Sequence, residues 1–219
     1  MGSITRGLSN NITTGGVILP AGITNDSVSA VTSFANASGG TLVLLSTQTA
    51  SASATISFTT GLDSTYDEYI FTVINAHPSD NGVSLNFNMS TDGGSNYNVT
   101  KTSSAFFTEH SESDTYTLLS YATSWDLAQS TAYQSIAPDV GNDNDQVCAG
   151  SLKIFNPAST TYVKHFISNF NQSHQSDLSQ QWFIAGYGNT TSAVNAIRFQ
   201  FSSGNIDDGV FKLYGVKKS

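Results

Sequence analysis

The run from Val83 to Ser90 limits the possible folds more than any other segment of the chain. Val83, Leu85, Phe87 and Met89 alternate strictly with Ser84, Asn86, Asn88 and Ser90. A period of two sends the two sets to opposite faces of a pleated strand, whereas a helix would scatter them around its axis. The same alternation runs through Ala54, Ile56 and Phe58, set between Ser53, Thr55, Ser57 and Thr59, and continues at Tyr69, Phe71 and Val73. Further strands are predicted near 104–108, 115–121, 132–137, 147–155, 161–170, 181–187, 194–201 and 210–216. Within Thr91–Asn96, Asp92-Gly93-Gly94 supplies the positive φ angles of a hairpin turn, and Ser202–Gly209 reads as an eight-residue hairpin loop. Only Thr123–Ala132 has helical character, with Ser124 as N-cap and Asp126 in the first turn.

Roughly ten strands over about 175 residues, with turn signals between them, predict an all-β sandwich or barrel. Composition points the same way. Charged residues are 11% of the 219, against about a quarter in ordinary soluble domains. Ser, Thr and Asn number 33, 25 and 18 and supply the polarity instead. The shortage of Lys, Glu and Arg argues against helical bundles, and 13 Phe with 9 Tyr argue against a disordered chain. Phe58, Phe71, Phe87, Trp182, Phe199 and Phe211 are the expected core. No apolar run has the length of a membrane-spanning helix.

Residues 1–40 differ from residues 41–219. Seven glycines and short apolar groups (Val17, Ile18, Leu19 and Ile23) show no strong period, which predicts an extended N-terminal arm that docks onto a partner. A net charge of −8, with no Lys or Arg between Arg6 and Lys101, leaves no basic patch for nucleic acid or an anionic membrane. Met1–Gly16 lacks a basic n-region and an apolar h-region, so the chain is expected to stay in the cytoplasm until it is assembled into something larger.

Catalytic constellations are sparse. Glu68, Glu109 and Glu112 are the only glutamates, and Glu109-His110-Ser111-Glu112 with Asp114 is a local cluster. A glycosidase needs carboxyls on opposite sides of a cleft, from separate elements. His77, His110, His165 and His174 have no ligand spacing for zinc. Cys148 is the lone cysteine and reads as a buried small hydrophobe heading a strand. No G-x-S-x-G elbow and no glycine-rich phosphate loop leading into a helix occurs. The run Asp139–Asp145 offers Asp139, Asp143 and Asp145 as oxygen ligands for Ca²⁺, and an Asn/Asp turn accounts for it equally well. The expectation is a protein that is not an enzyme.

Several segments together resemble virion structural proteins of tailed phages, of the kind found in marine phages and cyanophages. They are Ser46–Ser51 leading into Ile56–Phe58, Asp63–Tyr69, Phe87–Tyr97, Phe155-Asn156-Pro157 leading to Lys164-His165-Phe166, Ile197–Phe199, Ser202–Ile206, Gly209 and Leu213-Tyr214-Gly215. The likeness covers about residues 40–216, and the arm, with Ile12–Val17 and Ile23–Ser27, also looks like arms of such proteins. It implies a jelly-roll-like antiparallel sandwich built into a particle, usually as a trimer, as capsid decoration (cement) protein, head fibre or tail-fibre tip. It implies no catalytic residues. The absence of a coiled-coil shaft favours decoration, anchored by the arm to major capsid or tail proteins. The alternative is a receptor-binding tip whose exposed aromatics stack on host glycan. Tyr97, Tyr121, Trp125, Tyr133 and Trp182 are then the candidates, with Trp125 foremost because it lies in an irregular polar segment and Trp182 better placed in the core.

Overall fold

The computed structural model describes residues 12–13, 16–17 and 41–218, and the chain divides into two units, Met1–Gly39 and Gly40–Ser219. In the first, the described backbone is a short antiparallel ladder of β1 (Ile12–Thr13) on β2 (Gly16–Val17). Of the expected attachment residues, Val17 contributes its backbone to β2, while Ile18, Leu19 and Ile23 lie outside the described residues.

The second unit is all-β among its described residues. In chain order its strands are β3 (Leu42–Ser53), β4 (Ile56–Phe58), β5 (Glu68–Pro78), β6 (Val83–Ser90), β7 (Lys101–Ser111) and β8 (Thr117–Tyr121). Then follow β9 (Gln134–Val140), β10 (Cys148–Phe155), β11 (Lys164–His174), β12 (Leu178–Gly188), β13 (Ala196–Phe201) and β14 (Ile206–Val216). Every pairing is antiparallel. A small sheet, β4-β13-β6-β9, lies against a large one, β3-β14-β5-β10-β11-β12-β7-β8. The two join where His174 of β11 pairs with Val140 of β9. At the other margin, Gln48 Nε2 of β3 donates to the Ser57 carbonyl of β4 at 2.7 Å. The result is a jelly-roll-like β-sandwich, nearly closed, from which β12, β7 and β8 project past the point of closure.

Aromatic side chains from the inward-facing positions fill the space between the layers. Phe71 of β5 sits 5.2 Å from Phe58 of β4 and 5.6 Å from Phe199 of β13, and Phe199 lies 5.5 Å from Phe211 of β14. Phe87 of β6 meets Phe166 of β11 edge-on at 5.1 Å. Offset and edge-on geometries let ring edges meet ring faces, and each buried ring contributes about 1.5–3 kcal/mol of transfer energy.

Local readings differ from this structure in four places, each for a physical reason. The strand expected across Ser53–Thr59 is broken at Ala54–Thr55. Just before the break Ala52 takes φ 47°, and the chain passes from the large sheet to the small one. Asp92-Gly93-Gly94 is a turn, with φ of 72° and 92° at the glycines, but it closes no hairpin: β6 belongs to the small sheet and β7 to the large. Ser202–Asn205 is likewise a crossover, from β13 to β14, and β14 already begins at Ile206. The helical character of Thr123–Ala132 gives way to a turn, Trp125 N–H to Ala122 O, and an extended stretch hydrogen-bonded to β7.

Candidate functional site

Because β12 and β7 extend past the closure of the sandwich, their inner face needs another cover, and the 122–133 segment supplies it. Trp182 of β12 stacks on Phe107 of β7 at 4.5 Å, and Trp125 of the segment meets Trp182 edge-on at 6.4 Å. Backbone bonds fix the segment along β7: Lys101 N–H to Ser130 O at 2.7 Å, Ser130 N–H to Lys101 O at 2.9 Å and Ser103 N–H to Leu127 O at 2.9 Å. Side chains complete the anchoring. Ser103 Oγ accepts from Leu127 N–H and donates to Gln134 Oε1, and Gln134 Nε2 donates to the Trp125 carbonyl at 2.8 Å.

Between this segment and strands β6 and β9 runs a cleft of about 360 Å³. Ser84 and Asn86 line it from β6, Ser135 and Asp139 from β9, and Trp125, Asp126 and Tyr133 from the segment. Trp125 and Tyr133 are half-buried, so each keeps part of its ring in contact with the cleft. Tyr121, on β8, is exposed beside the cleft, and its phenol donates to Asp126 Oδ2 at 2.7 Å. That bond to the Asp126 carboxylate holds the Tyr121 phenol above its usual range. Burial holds the Asp139 carboxyl above the usual carboxylate range, with His174 opposing. Ser135 Oγ is buried and has no hydrogen-bond partner among the described residues.

The structure thus brings Trp125 and Tyr133 into one cleft, with Tyr121 tied to it through Asp126. Tyr97 and Trp182 are buried instead; the Tyr97 ring lies under the Arg198 guanidinium at 4.0 Å, which removes it from any ligand face. Asp139, Asp143 and Asp145 do not converge. Asp139 lines the cleft at φ 59°, whereas Asp143 and Asp145 are exposed on the following turn, where Asp143 N–H bonds Gln146 Oε1. Among the described residues no group of three or more His, Cys, Asp or Glu side chains is placed to share a metal ion. Ser84, Asn86, Ser135 and Asp126 had no motif to single them out. Ser84 and Asn86 occupy the polar face of the cleanest alternating strand, which reads as a solvent face until the 122–133 segment lies beside it.

A second surface stands out on the outer face of the large sheet. Tyr121 of β8, Phe106 of β7 and Phe183 of β12 form one cross-strand row by register, and Phe106 stacks on Phe183 at 4.9 Å. Ile167 of β11, 50% exposed, and Leu119 of β8, 70% exposed, extend the apolar area. β8 pairs with β7 on one side, and no described strand pairs with it on the other. Neither family models, curated proteins nor solved structures match the chain.

Proposed function

We propose that this chain is a non-enzymatic structural protein of a phage particle, a capsid-decoration (cement) or head-fibre subunit anchored by its N-terminal segment. Its partners are then copies of itself, as a trimer, and other virion proteins. The resemblance of residues 40–216 supplies the particle. The observation that carries the structural role is the outer face of the large sheet, where Phe106, Leu119, Tyr121 and Ile167 are all exposed beside an uncharged edge strand. Contiguous apolar surface of this kind is a mark of interaction sites. Low charge fits assembly through packing and backbone bonding that salt screens little. Particle loading tests the reading: Phe106→Glu should fold and fail to incorporate, and removal of residues 1–40 should leave a folded domain that no longer loads. Normal loading of both variants defeats it.

A second reading rests on the cleft. Trp125 and Tyr133 are the sugar-stacking aromatics of a receptor-binding module, and β-sandwiches accommodate such sites without catalysis. Binding of the isolated protein to a glycan panel tests it, and a blank panel removes it.

A further inference from the structure

We infer that the cleft between β6, β9 and the 122–133 segment takes neutral or amino-bearing sugars and rejects acidic ones. This rests on the second reading above, that the module binds carbohydrate. Aromatic rings, hydroxyls and carboxylates line the cleft, and among the described residues no Lys or Arg does. Trp125 and Tyr133 offer the apolar faces on which the C–H face of a pyranose stacks. Ser135 also lines the cleft, and its Oγ is buried without a hydrogen-bond partner among the described residues.

Two carboxylates set the selectivity. Asp126 is oriented by the Tyr121 phenol at 2.7 Å, and Asp139 is half-buried on β9. Carboxylate oxygens accept bonds from sugar hydroxyls, and an amino sugar adds a charge-assisted bond. A uronate, sialate or sulfated sugar would bring a further negative charge into the same partly desolvated space, with no cation in the lining to offset it. At separations of 5–6 Å and an intermediate effective dielectric, such repulsion amounts to roughly tenfold or more in affinity. Phosphate-bearing ligands are disfavoured for the same reason.

Calorimetric titration of the full chain with an N-acetylglucosamine trimer, its deacetylated form and a galacturonate trimer tests this. The neutral and amino trimers should bind, and the galacturonate trimer should bind at least about tenfold more weakly. Trp125→Ala should weaken the neutral trimer by about tenfold or more. Because Trp125 also packs on Trp182, Tyr133→Ser serves as a second variant, with circular dichroism confirming the fold of each. Asp126→Asn combined with Asp139→Asn should bring the galacturonate trimer close to the neutral one. Equal or tighter binding of galacturonate by the native chain overturns the inference and leaves the carbohydrate reading standing. Failure of all three trimers to bind overturns both.

Discussion

The ammonium nitrogen of Lys101 donates to Asn88 Oδ1 at 2.6 Å, and both side chains are shut away from solvent. A second bond runs from the same nitrogen to the Val99 carbonyl at 2.8 Å, so both partners are uncharged. Asn88 in turn donates through Nδ2 to the carbonyls of Tyr97 and Thr131. One buried amide therefore ties β6, the crossover into β7 and the segment that walls the cleft.

A cation held by neutral partners in a dry site gives stability a definite pH dependence. Burial pulls the Lys101 ammonium down to about 7, whereas a lysine in an unfolded chain titrates near about 10.4. Between those values the unfolded chain binds a proton that the folded one does not, so stability rises with pH across roughly 7 to 10. Below that window both states carry the proton and the full penalty of the buried charge is felt. Urea unfolding at a series of pH values should show the rise, and Lys101→Met should flatten it. A native chain whose stability is level over this range would mean that the amine keeps its proton.

Cys148 is predicted to be inert in the folded protein. It is fully buried at the head of β10, its Sγ lies 3.7 Å from the Ala76 carbonyl, and burial pushes its thiol up. The thiolate, not the thiol, reacts with disulfide reagents. A chromogenic disulfide should therefore label no thiol in native buffer and a single thiol in denaturant. Rapid labelling of native protein would place Cys148 outside the core.

Phe71 ties the two sheets together directly, because it touches Phe58 and Phe199 across the interface. Phe71→Ala removes both contacts and leaves a cavity where neither backbone layer can close. The expected cost is about 3–5 kcal/mol, or about 10 °C in Tm for a domain of this size. Differential scanning calorimetry measures it. Leu42→Ala, at an exposed position of β3, is the control and should change Tm by no more than about 2 °C.

The strands were legible wherever one face is apolar and the other polar, as at Phe87 and Phe199. They were hardest to read where both faces are polar. The end of β11, Asn169 to His174, has the composition of a loop, yet it pairs residue by residue with β12 as far as His174–Leu178. Gln172 Nε2 donates to Gln180 Oε1 and Gln180 Nε2 to Glu109 Oε2 there, partners that only the third dimension provides. Turn chemistry at Gly93 and Gly94 was legible as positive φ, but not the destination of the chain beyond it. A turn between sheets and a turn within one sheet use the same residues. The cleft was legible through its aromatics and not through its carboxylates. Asp126 looked like part of a helix start and Asp139 like part of a metal loop, because no local motif tells that the 122–133 segment and β9 wall one cleft with Ser84 and Asn86 of β6.

The open edge of the large sheet yields the sharpest contrast between neighbouring residues. Ser111 N–H bonds Tyr116 O and Ala122 N–H bonds Ala105 O, so these are hydrogen-bonded pairs at the two ends of the β7–β8 ladder. Alternation then points Leu118 and Ser120 at β7, and turns the N–H and C=O of Thr117, Leu119 and Tyr121 outward. The strand has no charge and no proline, two devices that commonly keep exposed edges from pairing. Proline at Leu119 deletes a donor that faces away from the sheet, and proline at Leu118 deletes a ladder bond. Leu119→Pro should therefore keep nearly native stability, and Leu118→Pro should lose on the order of 1–3 kcal/mol, as read by thermal unfolding. If copies associate through this edge, sedimentation velocity at rising concentration should show Leu119→Pro less associated than the native chain. Equal loss of stability in both variants would mean that the β8 register differs from the one described, and unchanged association in Leu119→Pro would exclude this edge as the contact.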